Sequence, residues 1–338
     1  MKAYVLTKHG KPDVLRIAEI PVPEVKLDEV LVKVSAIGLN YAEIQSRKGL
    51  YGWAPKLPYT LGMEACGTVS AVGENVTRHK IGDRVIVARQ TGAYAEYIAA
   101  HEDIVLPAFP EFSTEENAAY AVNFMTAWVG IMEMGRARPN DTILIQAAAG
   151  GVGTAAVQIA KQFGCTVFGT VGDDAKIPLV ESLGGDGVIN YRRENFRKKI
   201  LELHQGQGVD IVIEVVGGDV FRESLKALNP FGRVVVIGFA SLALQKWNPL
   251  SWYRTWKDIP RVNISNLATH SSGVLASHLG YLLKDKSRLM SVWNALSDFT
   301  RKHDIKPIVG HVLPFNQLPK AHTLMESRKS TGKIVITL

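Results

Sequence analysis

Cysteine is scarce in this 338-residue chain, which contains only Cys66 and Cys165, far apart in the sequence. Two such residues exclude a disulfide framework and the four-cysteine lobe of a structural zinc site. Long apolar runs are also missing, since a stretch such as Ile143–Ile145 with the small residues after it falls short of a membrane span. No segment has low complexity or the composition of a disordered chain. We therefore expect a folded protein without a membrane-spanning helix.

The length of the chain predicts its number of domains, and its first residues bear on its cellular compartment. At 338 residues the chain exceeds the usual size of one domain, which favours two domains. Met1–Leu6 has no long apolar stretch and is typical of a strand, so the sequence shows no signal peptide. We expect a cytoplasmic protein.

The net charge of +7 raises the question of an anionic partner. The densest basic cluster spans Arg192–Lys199, where Phe196, Ile200 and Leu203 recur at helical spacing. This pattern favours the solvated face of an amphipathic helix, and the alternative is a nucleic-acid patch. Aromatic interleaving of the kind that stacks bases does not accompany the cluster, so we predict no nucleic-acid partner.

The first third of the chain is typical of strands and turns. Val30–Val34 and Arg84–Val87 are short β-rich runs, and glycines punctuate the region at positions 38, 49, 52, 62, 67, 73 and 82. Glycine at this density predicts tight corners in an antiparallel, barrel-like domain.

From about Phe112 the pattern changes. Ser113–Glu116 is a helix-start signal before an alanine-rich run, and strand-like and helix-like segments then alternate. This alternation predicts βαβ units and a doubly wound parallel sheet. The predicted strands are Thr142–Ile145, Thr166–Gly169, Gly187–Ile189, Ile211–Val215 and Arg233–Ile237, with Val274–Tyr281 as a sixth, edge strand. The predicted helices between them are Thr154–Phe163, Ala175–Leu183 and Phe196–His204.

The tail returns to the first domain. From about Asp285 it holds a helix, a strand near Ile308–Leu313, a helix near Leu318–Ser327 and a last strand, Lys333–Thr337. We therefore predict one domain from residues 1–122 and 285–338, and a second from residues 123–284.

The motif with the clearest chemistry is the glycine-rich stretch Ala147–Gly153, which follows one predicted strand and opens a helix. Dinucleotide sites need this context, because pyrophosphate binds backbone N–H groups at a helix N-terminus. Ala148 replaces the first glycine of the usual six-residue pattern, while Gly150 permits close backbone approach and Gly153 close helix–strand packing. A tight turn between buried elements is the alternative. We predict that Ala149, Gly150, Gly151 and Val152 bind the cofactor.

The next strand decides which dinucleotide binds. NAD sites place an acid near the end of this strand for the ribose 2′-hydroxyl, but the tip at Gly172 carries none. Lys176 on the next helix offers a charge for a 2′-phosphate, and Tyr191 after the following strand offers a hydrogen bond. Asp173 and Asp174 oppose this interpretation if one of them reaches the ribose; otherwise they cap the helix. We predict NADP(H), bound in part by Gly172, Lys176 and Tyr191.

Several motifs together resemble a known family. They are Gly38–Glu43, Gly62–Gly67, Val72-Gly73, Gly82–Val85 and Ala147–Gly153, they occur in the family's order, and the match runs from Met1 to Leu338. This combination resembles the medium-chain dehydrogenase/reductase superfamily, and within it the zinc-free quinone oxidoreductase (ζ-crystallin-like) family. Trp252–Trp256 and His278–Leu282 resemble its vesicle-amine-transport-protein-like branch. The resemblance implies a Rossmann domain and a GroES-like antiparallel β-barrel domain, within the α/β class.

The resemblance also bears on metal. Zinc-dependent relatives have cysteine at the position of Asn40 and histidine at that of Met63, and an amide and a thioether replace these ligands poorly. We predict no metal. Without a Lewis acid, reduction of a simple ketone is difficult. A quinone or an α,β-unsaturated carbonyl suits the site better, because hydride adds to carbon and the charge delocalises over oxygens already present.

The candidate catalytic residues are Asn40 and Tyr41. By resemblance, Asn40 lies near the nicotinamide ribose and the substrate. We hypothesise that Tyr41 donates a hydrogen bond or a proton during reduction of an activated alkene. An aromatic side chain that only packs is the alternative for Tyr41.

The resemblance implies further cofactor contacts. They are Thr126, near the cofactor; Ile237, Gly238, Phe239 and Ala240 at the end of the fifth strand, with Val216 one strand earlier; and Lys333, near the phosphates. For Lys333 the alternative is a solvated lysine, and for the retained Glu64 it is a structural ion pair.

Two functions therefore compete. The first is an NADPH-dependent reductase of quinones or enones, and the second is an NADPH-binding scaffold with little activity. The segment Leu244–His270, with Trp247, Trp252, Tyr253 and Trp256, forms either a lid or interaction surface, or helices packed on the sheet edge. We also expect a homodimer, formed through the edge strand Val274–Tyr281.

Overall fold

The structure is a computed structural model, and it describes residues 1–240, 251, 253, 256, 259 and 261–338. Its strands are β1 (Lys2–Leu6), β2 (Arg16–Glu19), β3 (Glu29–Gly38), β4 (Tyr59–Thr60), β5 (Glu64–Val72), β6 (Arg84–Ala88), β7 (Tyr97–His101), β8 (Val105–Pro107), β9 (Thr142–Ile145), β10 (Thr166–Val171), β11 (Gly187–Asn190), β12 (Val209–Glu214), β13 (Leu228–Val236), β14 (Gly273–Ala276), β15 (Val309–Pro314) and β16 (Lys333–Thr337).

The α-helices among these residues are α1 (Tyr41–Lys48), α2 (Thr114–Ala118), α3 (Ala121–Trp128), α4 (Gly151–Gln162), α5 (Ile177–Ser182), α6 (Phe196–Leu203), α7 (Gly218–Lys226), α8 (Ile264–Thr269), α9 (Leu279–Leu282), α10 (Lys286–His303) and α11 (Leu318–Glu326). A π-helix, Val129–Met134, extends α3. None of the helices within the described ranges is both long and apolar enough to cross a bilayer.

The chain forms two compact units. The first comprises Met1–Asn123, Leu279–Asn294 and Lys306–Leu338, and the second comprises Phe124–His278 and Ala295–Ile305. The boundaries predicted from the sequence stay a proposal; residues 279–284 and 295–305 group differently in the structure.

The first unit is built on antiparallel strands. A seven-stranded sheet has the order β15-β16-β3-β5-β6-β8, with β7 also paired to β3, and a three-stranded sheet has the order β2-β1-β4. Only β15 and β16 among these pairs run parallel. Alternate residues of β3, such as Val30, Val32 and Val34, are buried in the core because side chains along a strand point to opposite faces. Both predicted runs lie inside observed strands, β3 and β6.

The second unit carries a parallel sheet of the order β11-β10-β9-β12-β13-β14. The order reverses next to β9, which makes the carboxyl end of β9 the place where ligands of such sheets bind. All five predicted strands and the helices between them are present, so the predicted fold class is confirmed. The helix predicted at Ala175–Leu183 opens as a 3₁₀ turn, because Pro178 lacks an N–H and favours the first turn of α5.

The predicted edge strand Val274–Tyr281 is too long. β14 is the terminal strand of the sheet among the described residues, but it ends at Ala276, opposite Val236, where its partner β13 also ends. Residues 279–282 form α9 instead. Of the aromatic segment 244–270, Trp247 and Trp252 lie outside the described residues, and Tyr253 and Trp256 are exposed with stacked rings.

Both cysteines are buried, one in each unit. Burial raises the pKa of the Cys66 thiol to about 12 and that of Cys165 to about 11.

Candidate functional site

The glycine-rich stretch forms the turn between β9 and α4. Ala147 has a positive φ of 53°, and the backbone N–H of Gly150 donates to the Ala147 carbonyl at 2.9 Å. A Cβ added at Gly153 would lie 2.4 Å from the same carbonyl oxygen, so no side chain fits there. Gly150 and Gly151 at the helix N-terminus are half-buried, which leaves backbone at that end open to a ligand. Such an N-terminus favours an anion through its unpaired N–H groups and the helix dipole.

A buried polar chain lies below this turn. Oγ1 of Thr170 accepts from the Ala147 N–H at 3.2 Å and donates to Oε1 of Gln146 at 2.5 Å. The Gln146 amide in turn donates to Oγ of Ser224 at 3.1 Å. These hydrogen bonds provide the Ala147 N–H with a buried acceptor. No single sequence window shows them, because their members lie just after β9, on β10 and on α7.

Glu214 closes the chain at the end of β12. Its carboxylate accepts from the Ser224 hydroxyl at 3.1 Å and from the backbone N–H groups of Val216 and Gly217 at 2.6 and 2.9 Å. Burial raises its pKa. Glu214 therefore links Val216, a predicted cofactor contact, to the glycine turn through a continuous series of hydrogen bonds. Sequence reasoning missed this residue.

The tip of β10 brings two of the predicted NADP contacts, Gly172 and Tyr191, together. A Cβ at Gly172 would lie 2.7 Å from the hydroxyl oxygen of Tyr191, so the ring of Tyr191 lies against this glycine. Lys176 is half-buried, and burial together with the nearby Arg192 cation lowers its pKa, against the raising effect of Asp173. Arg192, which is exposed, is a second positive charge that acts on Lys176 and that sequence reasoning missed; the signal was its place directly after Tyr191.

The two acids that opposed NADP have other partners. Asp173 caps the following 3₁₀ turn by accepting from the Ala175 N–H at 3.1 Å. Asp174 accepts from the Asn190 amide at 2.6 Å and pairs with Arg193 at 2.6 Å. Both acids therefore have structural roles, as the capping alternative predicted.

The remaining contacts predicted in the second unit lie on two segments. Thr126 is half-buried on α3. The N–H of Ile237 donates to the Glu214 carbonyl and that of Ala240 to the Val215 carbonyl, each at 2.9 Å, which fixes residues 237–240 beside the end of β12. Phe239 on this segment is 44% exposed. Their cofactor roles stay predictions.

In the first unit, Asn40 is buried at the N-terminus of α1, and its amide is used internally. Nδ2 donates to the Gly38 carbonyl at 3.2 Å and to Oε1 of Glu64 at 3.1 Å, and Oδ1 accepts from Nζ of Lys333 at 2.7 Å. Both amide protons are therefore committed. In this conformation Asn40 has no free N–H for a developing enolate.

Lys333 and Glu64 form a buried ion pair, with 2% and 0% of their side chains exposed. Nζ of Lys333 donates to Glu64, Asn40 and Asn123, and Oε2 of Glu64 accepts from the Val122 N–H at 2.9 Å. The ion pair suggested for Glu64 is present, and the alternative of a solvated Lys333 is wrong. The predicted contact of Lys333 with cofactor phosphates stays a prediction.

Tyr41 is the first residue of α1 and is half-buried. Burial raises its pKa, with Arg328 and Glu326 acting in opposite directions. At neutral pH the hydroxyl is therefore protonated and able to donate a hydrogen bond.

Met63 lies in the loop before β5, directly after Gly62, and is half-buried. Within the described ranges, no three His, Cys, Asp or Glu residues are grouped so as to hold a metal ion.

Comparison with known proteins assigns the family. Residues 26–111 match the alcohol dehydrogenase GroES-like domain, and residues 151–285 match the zinc-binding dehydrogenase family. The chain is 30% identical over 341 residues to the quinone oxidoreductase of Sus scrofa, covering 100% of this chain and 98% of that one. The chain belongs to the quinone oxidoreductase family of the medium-chain dehydrogenase/reductase superfamily, which confirms the predicted family.

Two further relatives bear on the branch and the cofactor. The human synaptic vesicle membrane protein VAT-1 homolog is 34% identical over 344 residues, with 99% of this chain and 86% of that protein covered. The Escherichia coli quinone oxidoreductase, solved in complex with NADPH, superimposes with a TM-score of 0.90 at 30% identity, with 100% of both chains covered.

Proposed function

We propose that this chain is an NADPH-dependent reductase that transfers hydride to a quinone or an α,β-unsaturated carbonyl without a metal. The observation that carries the cofactor assignment is the tip of β10, where Tyr191 packs on Gly172 and no acid takes the place that an NAD site would give it, and Lys176 follows on the next turn. The NADPH complex of the E. coli relative supports it.

The residues present fit NADPH. The α4 N-terminus, with Gly150 and Gly151, would hold the pyrophosphate, while Lys176, Arg192 and Tyr191 would hold the 2′-phosphate. When bound, NADPH supplies the hydride. Asn40 would lie near the nicotinamide ribose, as the resemblance implies.

The acceptor class follows from the donor set. Asn40 and Met63 offer an amide and a thioether where a Lewis-acid metal would need stronger ligands, and Lys333 already occupies Oδ1 of Asn40. Hydride addition to a conjugated carbon needs only hydrogen bonds to the oxygen that gains charge. The protonated hydroxyl of Tyr41 would supply one of them.

Lys176→Met combined with Arg192→Met is expected to weaken NADPH binding by about tenfold to a hundredfold, because a charge-assisted hydrogen bond contributes about 1.5–3 kcal/mol. NADH lacks the 2′-phosphate, so its dissociation constant should stay unchanged. Titration of both cofactors by fluorescence or calorimetry measures the ratio.

Arg193→Met is the matched control, since Arg193 adjoins Arg192 but pairs with Asp174. It should leave the NADPH-to-NADH ratio as in the wild type. Equal weakening of NADPH and NADH by the double variant would contradict a 2′-phosphate site at this strand tip.

Tyr41→Phe is expected to lower kcat for an enone by about a hundredfold with little effect on NADPH affinity, since a positioned acid contributes about 10²–10⁴-fold. Steady-state rates with a quinone and an enone, alongside NADPH titration, would measure this effect. An unchanged enone turnover would reject the role of Tyr41 and leave it as a packing residue.

The alternative is an NADPH-binding scaffold with little activity, which the resemblance to the vesicle-amine-transport-protein-like branch suggests; the chain is 34% identical to a human protein named as a synaptic vesicle membrane protein. A panel of quinones, enones and enals separates the two functions. Tight NADPH binding with no turnover of any acceptor would establish the scaffold.

Homodimer formation through β14 stays a proposal. Strand Gly273–Ala276 ends the parallel sheet among the described residues, and a second copy could extend it across a two-fold axis. Light scattering of the wild type and of Leu275→Pro would test this, because proline removes a backbone donor from the strand.

A further inference from the structure

Glu43 is a fully buried carboxylate that binds three separate segments of the first unit. Its Oε2 accepts from the backbone N–H of Asn40 at 2.8 Å and from the Tyr94 hydroxyl at 2.6 Å. Its Oε1 accepts from the backbone N–H of Met63 at 2.7 Å. All three partners donate, which suits the ionised, acceptor-only form of the carboxyl group. Glu43 thereby joins the start of α1 to the loops before β5 and β7.

Tyr94 extends this arrangement to α11. Its hydroxyl lies 3.0 Å from Nε2 of His322. A hydroxyl has one proton, and when Tyr94 donates it to ionised Glu43 the ring nitrogen must be a donor. His322 is then neutral with its proton on Nε2, in keeping with burial and the Arg47 cation, which lower its pKa to about 3. The hydrogen bonds therefore run in one direction, from His322 through Tyr94 to Glu43.

Several charged or titratable groups face Glu43 and its partners. Burial outweighs the rest and raises the pKa of Glu43 to about 7, while its hydrogen bonds and the Lys333 charge lower it. The remaining groups are Tyr94, Tyr51 on the loop after α1, Arg47 one turn along α1, and His322.

We propose that Glu43 is a positioning residue of this reductase: its carboxylate holds the backbones of Asn40 and Met63 together and so sets the start of α1. The inference rests on the proposed function, because it assigns Asn40 and Tyr41 to the cofactor and the acceptor.

The two carboxylates near Asn40 have separate tasks. Glu64 and Lys333 hold the Asn40 side chain, whereas Glu43 holds its backbone N–H. Loss of Glu43 would free the first turn of α1, which carries Tyr41, while the amide of Asn40 kept its partners. The expected defect is therefore in the chemical step, with cofactor phosphates still bound by the second unit.

Glu43→Gln tests the proposal, because its amide nitrogen cannot accept from the donors that face it. We expect kcat to fall about tenfold or more, since small misplacement of reacting groups is costly, with the NADPH dissociation constant little changed. In the wild type, kcat should rise as the pH increases through about 7, where Glu43 ionises, and the variant should lose this ionisation. Amide hydrogen exchange at Asn40 and Met63 should accelerate about tenfold.

Tyr4→Phe is the matched control, because Tyr4 is a buried tyrosine of the same unit whose hydroxyl donates to the Phe315 carbonyl at 3.0 Å. It should keep the wild-type kcat and pH profile. If Glu43→Gln does not fold, Tyr94→Phe carries the test, since it keeps the carboxylate and removes one donor. We expect Tyr94→Phe to lower kcat and shift the pH profile.

A folded Glu43→Gln protein with wild-type kcat, pH profile and amide exchange would overturn the proposal. A Tyr94→Phe variant indistinguishable from Tyr4→Phe would overturn it where the first variant fails to fold. Failure of the proposed function is distinguishable: the wild type would then bind NADPH yet reduce no acceptor. Amide exchange at Asn40 and Met63 would still decide whether Glu43 holds the two segments.

Discussion

Replacing Lys333 by methionine is expected to lower the free energy of unfolding by about 3–5 kcal/mol, because it leaves a buried charge without its partner. Glu64, with none of its side chain exposed, would keep the Asn40 amide and the Val122 N–H as donors but no cation. Denaturant unfolding at neutral pH measures the loss. Activity should fall as well, because Oδ1 of Asn40 loses the ammonium that orients it.

A double-mutant cycle separates charge from packing. Glu64→Gln in the Lys333→Met background removes the uncompensated charge while keeping the volume, and should recover at least half of the lost stability. Lys161→Met is the control, since Lys161 pairs with Asp186 at the surface, with 38% and 36% of the two side chains exposed. Exposed pairs contribute about 0–1 kcal/mol. Similar losses for Lys333→Met and Lys161→Met would refute the importance of burial.

Gly153→Ala is expected to raise the dissociation constant for NADPH by about tenfold to a hundredfold, through misaligned backbone donors at the α4 N-terminus. The added Cβ would lie 2.4 Å from the Ala147 carbonyl oxygen and 2.7 Å from Ala148 atoms, all of them backbone, so the turn itself must move. Overpacking of this kind costs about 1–3 kcal/mol of stability. Cofactor titration and thermal unfolding measure the two effects.

Gly273→Ala is the control in the same unit, because its Cβ would meet nothing closer than the Arg233 side chain at 3.7 Å. It should leave NADPH affinity and stability near those of the wild type. If Gly153→Ala binds NADPH as tightly as Gly273→Ala does, the turn is not the pyrophosphate site.

Periodicity and local motifs were sufficient to predict most strands of the parallel sheet and the helices between them. Strands buried on both faces, such as Thr142–Ile145, and the glycine turn before α4 are local patterns, and each appears in the structure where it was predicted. The end of β14 was misplaced because a strand ends where its partner ends, and Val236 lies far from Ala276 in the sequence. Proline at 178 altered the start of a helix, although its local signal was visible.

The polar interior of the site was beyond local sequence patterns. Lys333 and Glu64 are 269 residues apart, so the resemblance suggested a pair for Glu64 but not its partner. The hydrogen bonds of the Asn40 amide join Gly38, Glu64 and Lys333, and the last two lie far from Asn40 in the sequence. Arg192 is exposed, as the solvated assignment predicted, but it lies in the turn before α6 and not on the helix, and its charge acts on Lys176.

The burial of both thiols should protect the protein from alkylation by electrophiles. Quinones and enones are electrophiles that alkylate thiolates, and a thiolate forms readily only when its pKa is near that of free cysteine or lower. With pKa values near 12 and 11, Cys66 and Cys165 stay protonated and enclosed at neutral pH. A protein with these two cysteines should tolerate concentrations of quinones and enones that inactivate enzymes with surface thiols.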